Sequence, residues 1–302
     1  MNKQELTNLV AEILSQMKAP QPQVKGSEYK TVVYNDDRPA CPADGGFVED
    51  VTMLDLRKLY LVKDPADEKA FRRLKERTPA RLGSGRAGPR YKTLTMLRFR
   101  ADHAAAQDAV FSELPEDFGE KNGLVSVQTQ CKDKDEYLTR PDKGRRFDEE
   151  NAAKIRSAIK GTPRVQLVIG DGLSSAAISA NAMDCAQAIR DGLKVRGIEL
   201  GEGIFVKFCR VGAGDAVGDI TGCELVCVLV GERPGLVTDK SMSAYITYKP
   251  HTGVSESART VVSNIHAQGT PAVEAGAYVA ELIEKILQRK VSGVGLLTED
   301  KV

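Results

Sequence analysis

The chain has 302 residues, enough for two domains. Lys plus Arg number 43 and Asp plus Glu 42, a net charge of +1, so bulk charge excludes general nucleic-acid binding. No apolar run approaches the roughly 20 residues of a membrane helix, and Met1-Asn2-Lys3-Gln4-Glu5 does not open an apolar signal core, so neither membrane nor nucleic acid is an expected partner.

Residues 1–18 place Leu6, Leu9, Val10, Ile13, Leu14 and Met17 on one helical stripe, which Ala19-Pro20 ends. Such a short amphipathic helix needs a partner for its stripe. Residues 19–50 are rich in Pro, Gly and charge and read as a linker. Residues 51–123 read as a small helical domain. Asp64-Pro65 is taken as a cap and first-turn proline, with Phe71 and Leu74 following. Leu94, Leu97, Ala101, Ala104 and Ala105 mark a longer helix that stops before Pro115. Between them lies Arg81-Leu82-Gly83-Ser84-Gly85-Arg86-Ala87-Gly88-Pro89-Arg90. This glycine-rich basic loop is either an anion or partner contact through Arg86 and Arg90, or a tight turn whose arginines pair with nearby acids.

Residues 124–302 alternate strand and helix, the signature of an α/β domain with a mostly parallel sheet and helices on both faces. Val125 and Val127 give a short strand, and a cation-dense loop follows at residues 138–146. Asp148 caps a helix carrying Ala152, Ile155 and Ile159. The strand Val165-Gln166-Leu167-Val168-Ile169 runs into Gly170-Asp171-Gly172, then a helix with Ile178, Ala182, Cys185 and Ile189 on one face. Residues 204–208 form a strand ending at Cys209-Arg210-Val211-Gly212. Residues 225–230 are uninterruptedly apolar, as for a strand buried on both faces, and stop at Gly231-Glu232-Arg233-Pro234-Gly235. Residues 245–248 read as a further strand. Residues 263–270 read as a loop before a helix with Val279, Leu282, Ile283 and Ile286, for which Thr270 and Pro271 supply the cap and first turn. Open α/β sheets bind ligands at the carboxyl ends of their strands, so these glycine-rich loops mark a ligand edge.

Chemistry-bearing residues are sparse. The six cysteines (Cys41, Cys131, Cys185, Cys209, Cys223, Cys227) form no C-x-x-C. Cys223 and Cys227 are read as sharing one strand face, roughly 13 Å apart and too far for one metal. His103, His251 and His266 lack metal-ligand spacing. Ser174 is not in a nucleophile elbow. Asp171 is either half of a weak carboxylate pair with Glu232 or a helix cap. No catalytic residue and no protein metal site is expected.

The strings Thr78-Pro79-Ala80-Arg81, Gly85 to Arg90, Leu97-Arg98-Phe99, Ala101-Asp102-His103, Tyr137 to Asp142, Gly144-Arg145-Arg146, Asp171-Gly172-Leu173-Ser174, Val230 to Leu236, Ser263-Asn264-Ile265-His266 and Gly269-Thr270-Pro271 occur in this order. Together they resemble the small-subunit family of ethanolamine ammonia-lyase. The resemblance implies a helical N-terminal domain followed by a Rossmann-like domain. It implies a carbon–nitrogen lyase, dependent on adenosylcobalamin, that converts ethanolamine to acetaldehyde and ammonia. In that family a large subunit holds the substrate, and the small one closes over the cobalamin. The cobalamin contacts it implies here are Val211, Glu232 and Val261. Some relatives carry cysteine at the third position, so Val261 leaves a packing or backbone contact there. Asp-x-His-x-x-Gly is absent, so the cofactor is expected base-on, keeping its own base on cobalt. The family also implies residence in a cytoplasmic bacterial microcompartment, with residues 1–18 contacting shell or cargo. Two other readings are a nucleotide-binding Rossmann-type protein and a scaffold subunit without a ligand. The first needs a third glycine in register after Gly172, which the chain lacks.

Overall fold

The computed structural model describes residues 50–54, 58–78 and 80–298. All fall within one compact unit, Glu49–Val302. The expected targeting helix over 1–18, and the 19–50 linker up to its last residue, lie outside the described residues.

A helical N-terminal part comes first: α1 (Glu68–Lys75), a miniature hairpin of β1 (Arg86–Ala87) and β2 (Arg90–Tyr91), α2 (Thr93–Phe111) and α3 (Phe118–Lys121). Then follow β3 (Val125–Gln128), α4 (Lys134–Thr139), α5 (Glu149–Ala158), β4 (Val165–Asp171), α6 (Ser175–Val195), β5 (Ile204–Lys207), α7 (Ala213–Thr221), β6 (Leu225–Gly231), β7 (Met242–Tyr248), β8 (Arg259–Ile265), α8 (Ala272–Arg289) and α9 (Val294–Thr298). Strands β3 to β8 form one sheet in the order β3-β5-β4-β6-β7-β8. The first four are parallel, and β7 and β8 return antiparallel.

The uninterrupted apolar run of β6 follows from its central position. Leu225, Cys227 and Leu229 enter the core under α6 and α8, while Val226, Val228 and Val230 enter the core under α5 and α7. Successive strand residues point to opposite faces, so a strand covered on both sides has no solvent-facing position. Helix α6 buries Ile178, Ala182, Cys185 and Ile189, and α8 buries Val279, Ile283 and Ile286, as their spacing predicts. The connections out of β4 and β6 lead toward opposite edges of the sheet, which makes the gap between their carboxyl ends a topological switch point.

Several local expectations are corrected. Helix α1 starts at Glu68, with the Asp67 carboxylate accepting from Ala70 N at 2.9 Å, so Asp64 is not its cap. Helix α8 starts at Ala272 with Pro271 at the N-cap position, and Thr270 N instead donates to Asn264 O. In α2 the packed residues are Thr95, Ala106 and Ala109, while Leu94, Leu97, Ala104 and Ala105 face outward. Cys223 precedes β6 and packs under α5 and α7, opposite in face to Cys227. The five described cysteines are free and buried, and burial pushes the Cys185 and Cys209 thiols up to about 12. Residues 259–265, read partly as loop, are strand β8.

Two buried polar clusters fasten the layers. Arg259 on β8 makes a bidentate pair with Asp215 in the first turn of α7, at 2.7 and 2.8 Å, with side-chain exposures of 3% and 7%. Its Nη1 also donates to Thr247 Oγ1 of β7 and its Nε to Glu256. Asp171, 2% exposed at the end of β4, accepts from the Ser175 hydroxyl at 2.6 Å and from Leu114 N at 3.3 Å, joining α6 and the segment after α2 to the sheet. It does not cap α6; Ser174 does, accepting from Ala177 N. Buried Lys134 lies beside it, donating to Gly172 O.

Removing one partner of a buried ion pair strands the other charge, so Asp215→Asn is expected to cost about 3 kcal/mol. Urea unfolding should show a lower midpoint at unchanged slope; a loss below about 1 kcal/mol would refute the clamp. Burial, ahead of the opposing Ser175 and Lys134 contacts, raises the Asp171 carboxyl above its ordinary 3.8. Folding therefore favours the protonated form. Its stabilising contribution is complete below pH 3.8 and fades as pH rises through the raised value. The stability of wild type relative to Asp171→Asn should accordingly decline with rising pH across that window, and a difference that grows with pH would contradict it.

Candidate functional site

The candidate residues gather toward the carboxyl ends of the parallel strands. Close approach of β4 and β5 depends on Gly170, where a Cβ would meet Cys209 Sγ at 2.5 Å. The cation-dense loop is pinned to the end of β5: Tyr137 Oη donates to Cys209 O at 3.0 Å, and the Arg210 guanidinium lies 4.2 Å from the Tyr137 ring centroid while donating to Tyr137 O. Gly144 admits this approach, since a Cβ there would meet Arg210 Cγ at 2.7 Å. Val211 follows directly, half-buried against the core under α5 and α7.

Strand β6 ends at Gly231, where a Cβ would collide with the Ser174 carbonyl. The next residue, Glu232, donates its backbone N–H to Ser241 O at 2.9 Å. Its Oε1 accepts from the Ser243 hydroxyl at 2.6 Å and from Asn264 N at 2.9 Å. Val261 lies on β8, paired with Tyr245 of β7, which pairs with Val228 of β6. Val261 is 46% exposed, although Tyr245 packs on the same core as Val211. Val211, Glu232 and Val261 therefore belong to one face of the sheet, the α7 side, beyond the reach of that nine-residue helix. Burial first, and the Glu232 carboxylate second, push the Tyr245 phenol up, which places the ring near the carboxylate.

Asp171 and Glu232 do not form a pair. Asp171 points with Leu167 and Ile169 to the α6 side, and Glu232 bonds to Ser243 on the α7 side. Arg233 turns away from Glu232 and, with Pro234, Leu236, Phe111 and His103, lines a cavity of about 400 Å³ beside α2. Of the other histidines, His266 Nδ1 accepts from Gln268 N and His251 Nδ1 faces Lys249 O, both within their own turns. The basic loop at residues 83–90 is a tight hairpin. Arg81 pairs with Asp102 at 2.6 Å, and Arg86 stacks on Tyr91 and donates to Pro89 O rather than to an acid. Among the described residues no group of three or more His, Cys, Asp or Glu is placed to hold a metal ion, and no helix is long and apolar enough to cross a membrane.

Ser243 escaped the sequence reading, while Tyr245 entered it as a strand residue and Asn264 as part of a quoted string, neither with a site role. The alternation in Met242-Ser243-Ala244-Tyr245-Ile246-Thr247 carries the signal for all of β7 and for the shared face of Ser243 and Tyr245. The string Ser263 to His266 does not disclose the role of Asn264, which depends on how β8 returns beside β7.

A family model for the ethanolamine ammonia-lyase light chain matches residues 68–297. Curated ethanolamine ammonia-lyase small subunits are similar over almost the whole chain. That of Clostridium perfringens is 52% identical over 297 residues, covering 98% of this chain and 100% of the relative. That of Clostridioides difficile is 53% identical over 298 residues with the same coverage. That of Listeria monocytogenes is 51% identical over 296 residues, again with 98% and 100% covered. With a model spanning most of the fold and relatives matched end to end, the chain belongs to the ethanolamine ammonia-lyase small-subunit family and is one subunit of a two-subunit ammonia-lyase.

Proposed function

We propose that this chain covers an adenosylcobalamin on the open α7-side face of its Rossmann-like domain, while the large subunit of the enzyme holds ethanolamine for conversion to acetaldehyde and ammonia. The observation that carries the reading is the shared face of Val211, Glu232 and Val261, an apolar strip ending in a carboxylate with one oxygen unused within the described residues. That composition fits a corrin. Val211 and Val261 offer apolar surface to a flat macrocycle and keep water from it, and the free Glu232 oxygen accepts hydrogen bonds from its amide side chains. Bound there, the cofactor supplies the radical chemistry through its own cobalt–carbon bond. The chain contributes binding and orientation and holds no proton for the reaction. The described histidines have contacts of their own, His266 and His251 within their own turns and His103 at the cavity beside α2, which supports a cofactor that keeps its own base on cobalt.

Co-expression with the large subunit tests the reading. Acetaldehyde formation should require both chains and adenosylcobalamin. Glu232→Ala should weaken cobalamin binding by about 10- to 100-fold, the worth of a hydrogen bond to a charged group, as measured by equilibrium dialysis. An unchanged dissociation constant would remove Glu232 from the contact. The electron spin resonance spectrum of the complex with isotopically labelled cofactor should show coupling to the cofactor's own nitrogen; protein-histidine nitrogen on cobalt would refute the base-on assignment.

A further inference from the structure

Glu232 is held by groups from two neighbouring strands. Ser243 is 2% exposed, and its hydroxyl donates to Glu232 Oε1 at 2.6 Å. The second donor, Asn264 N, reaches the same oxygen because β8 departs from regular pairing. Met242 pairs with Ile265 and Ala244 with Val262, so two steps on β7 face three on β8. Such a bulge re-aims backbone groups at a sheet edge. Asn264 takes the strain of it at φ +59°, a left-handed conformation that asparagine tolerates better than most residues. The turn that follows closes back on the same residue, with Thr270 N donating to Asn264 O. Gly269 makes this possible, since a Cβ there would collide with that carbonyl.

Both donors use Oε1, and Oε2 has no partner among the described residues. A carboxylate fixed through one oxygen presents the other in a set direction. We infer that Ser243 and the bulged Asn264 N–H are positioning groups that lock Glu232 so that Oε2 is presented to an N–H donor of the ligand, a primary amide in the cobalamin reading on which this rests. Glu232 is then selective for donors: a ligand edge bearing carboxylates in place of amides meets repulsion at this point.

The test uses the two-subunit complex and cyanocobalamin, which carries the same amides and binds without turnover, with dissociation constants read by equilibrium dialysis. Ser243→Ala should weaken binding on the order of tenfold, as loss of a supporting hydrogen bond behind a direct contact does. Ser243→Thr, which keeps the hydroxyl on a strand-compatible side chain, should restore it. The double variant Ser243→Ala, Glu232→Ala should bind no more weakly than Glu232→Ala alone. A Ser243→Ala complex that binds normally while Glu232→Ala binds weakly would overturn the positioning role and leave the cobalamin reading intact. Additive losses in the double variant, or no rescue by threonine, would likewise overturn it by making Ser243 merely structural. Normal binding by Glu232→Ala would instead remove the cobalamin reading of this edge, and the positioning role with it.

Discussion

The buried pair between Arg259 and Asp215 decides which part of the sheet stays open. Helix α7 has nine residues and sets Ala213, Val217 and the half-buried Ile220 against the apolar core of its face. That is little area to hold a helix on a six-stranded sheet. The bidentate contact from β8, shared with Thr247 of β7, fixes its first turn instead, where the helix dipole also favours the aspartate. Fastened at that point, α7 covers the ends of β7 and β8 nearest Thr247 and Arg259. It leaves the opposite ends, with Tyr245, Val261 and Glu232, uncovered.

Two carboxylates at neighbouring strand ends then meet opposite fates through strand parity alone. In the β4–β6 register Gly170 lies across from Val230, so Asp171 and Glu232 sit one step out of phase and point to opposite faces. The face of Asp171 is closed by α6 and by the segment after α2, and there the carboxylate ties layers together at the cost of its own desolvation. The face of Glu232 is covered by α5 and α7 over its core, and the strand-end position of Glu232 lies past them. Its carboxylate remains in reach of solvent, with neutral donors on one oxygen and, among the described residues, nothing on the other. The titratable neighbour on that face, the Tyr245 phenol, is pushed above its ordinary range by burial and by the carboxylate itself, which suits a group that binds rather than one that moves protons.

The fold was legible wherever burial was two-sided or a helical stripe was long. Residues 225–230 announce β6 because both faces are covered, and Ile178, Ala182, Cys185 and Ile189 announce α6 because one face packs on the sheet. Legibility failed where polar contacts replaced apolar ones. In α2 the inward side is held partly by Arg98 and Asp102, bonded to each other, so the apolar stripe of Leu94, Leu97 and Ala104 gives the wrong face. Strand β8 buries an arginine at one end and exposes Val261, Ser263 and Asn264 along its length, so no alternation of apolar residues betrays it. Caps were misplaced by three residues for α1 and at Asp171 for α6, because several Asp and Ser compete and only backbone geometry selects among them. Glu232 stood out through its turn and through family resemblance. Ser243 and Asn264 did not, because their convergence on it needs an antiparallel return and a bulge that no local pattern encodes.

The site's rigidity has one source. Val261 lies within a strand, Glu232 one residue past a strand end, and the groups that hold Glu232 come from β7 and from the bulge of β8, each paired to its neighbour. Groups fixed in this way lose little freedom when a ligand arrives, so less of the contact energy is spent on ordering. A flexible loop bearing the same residues would pay that cost at each binding event. The antiparallel pair β7–β8, which a purely parallel sheet would lack, is therefore the element that turns a strand-end carboxylate into a preformed acceptor.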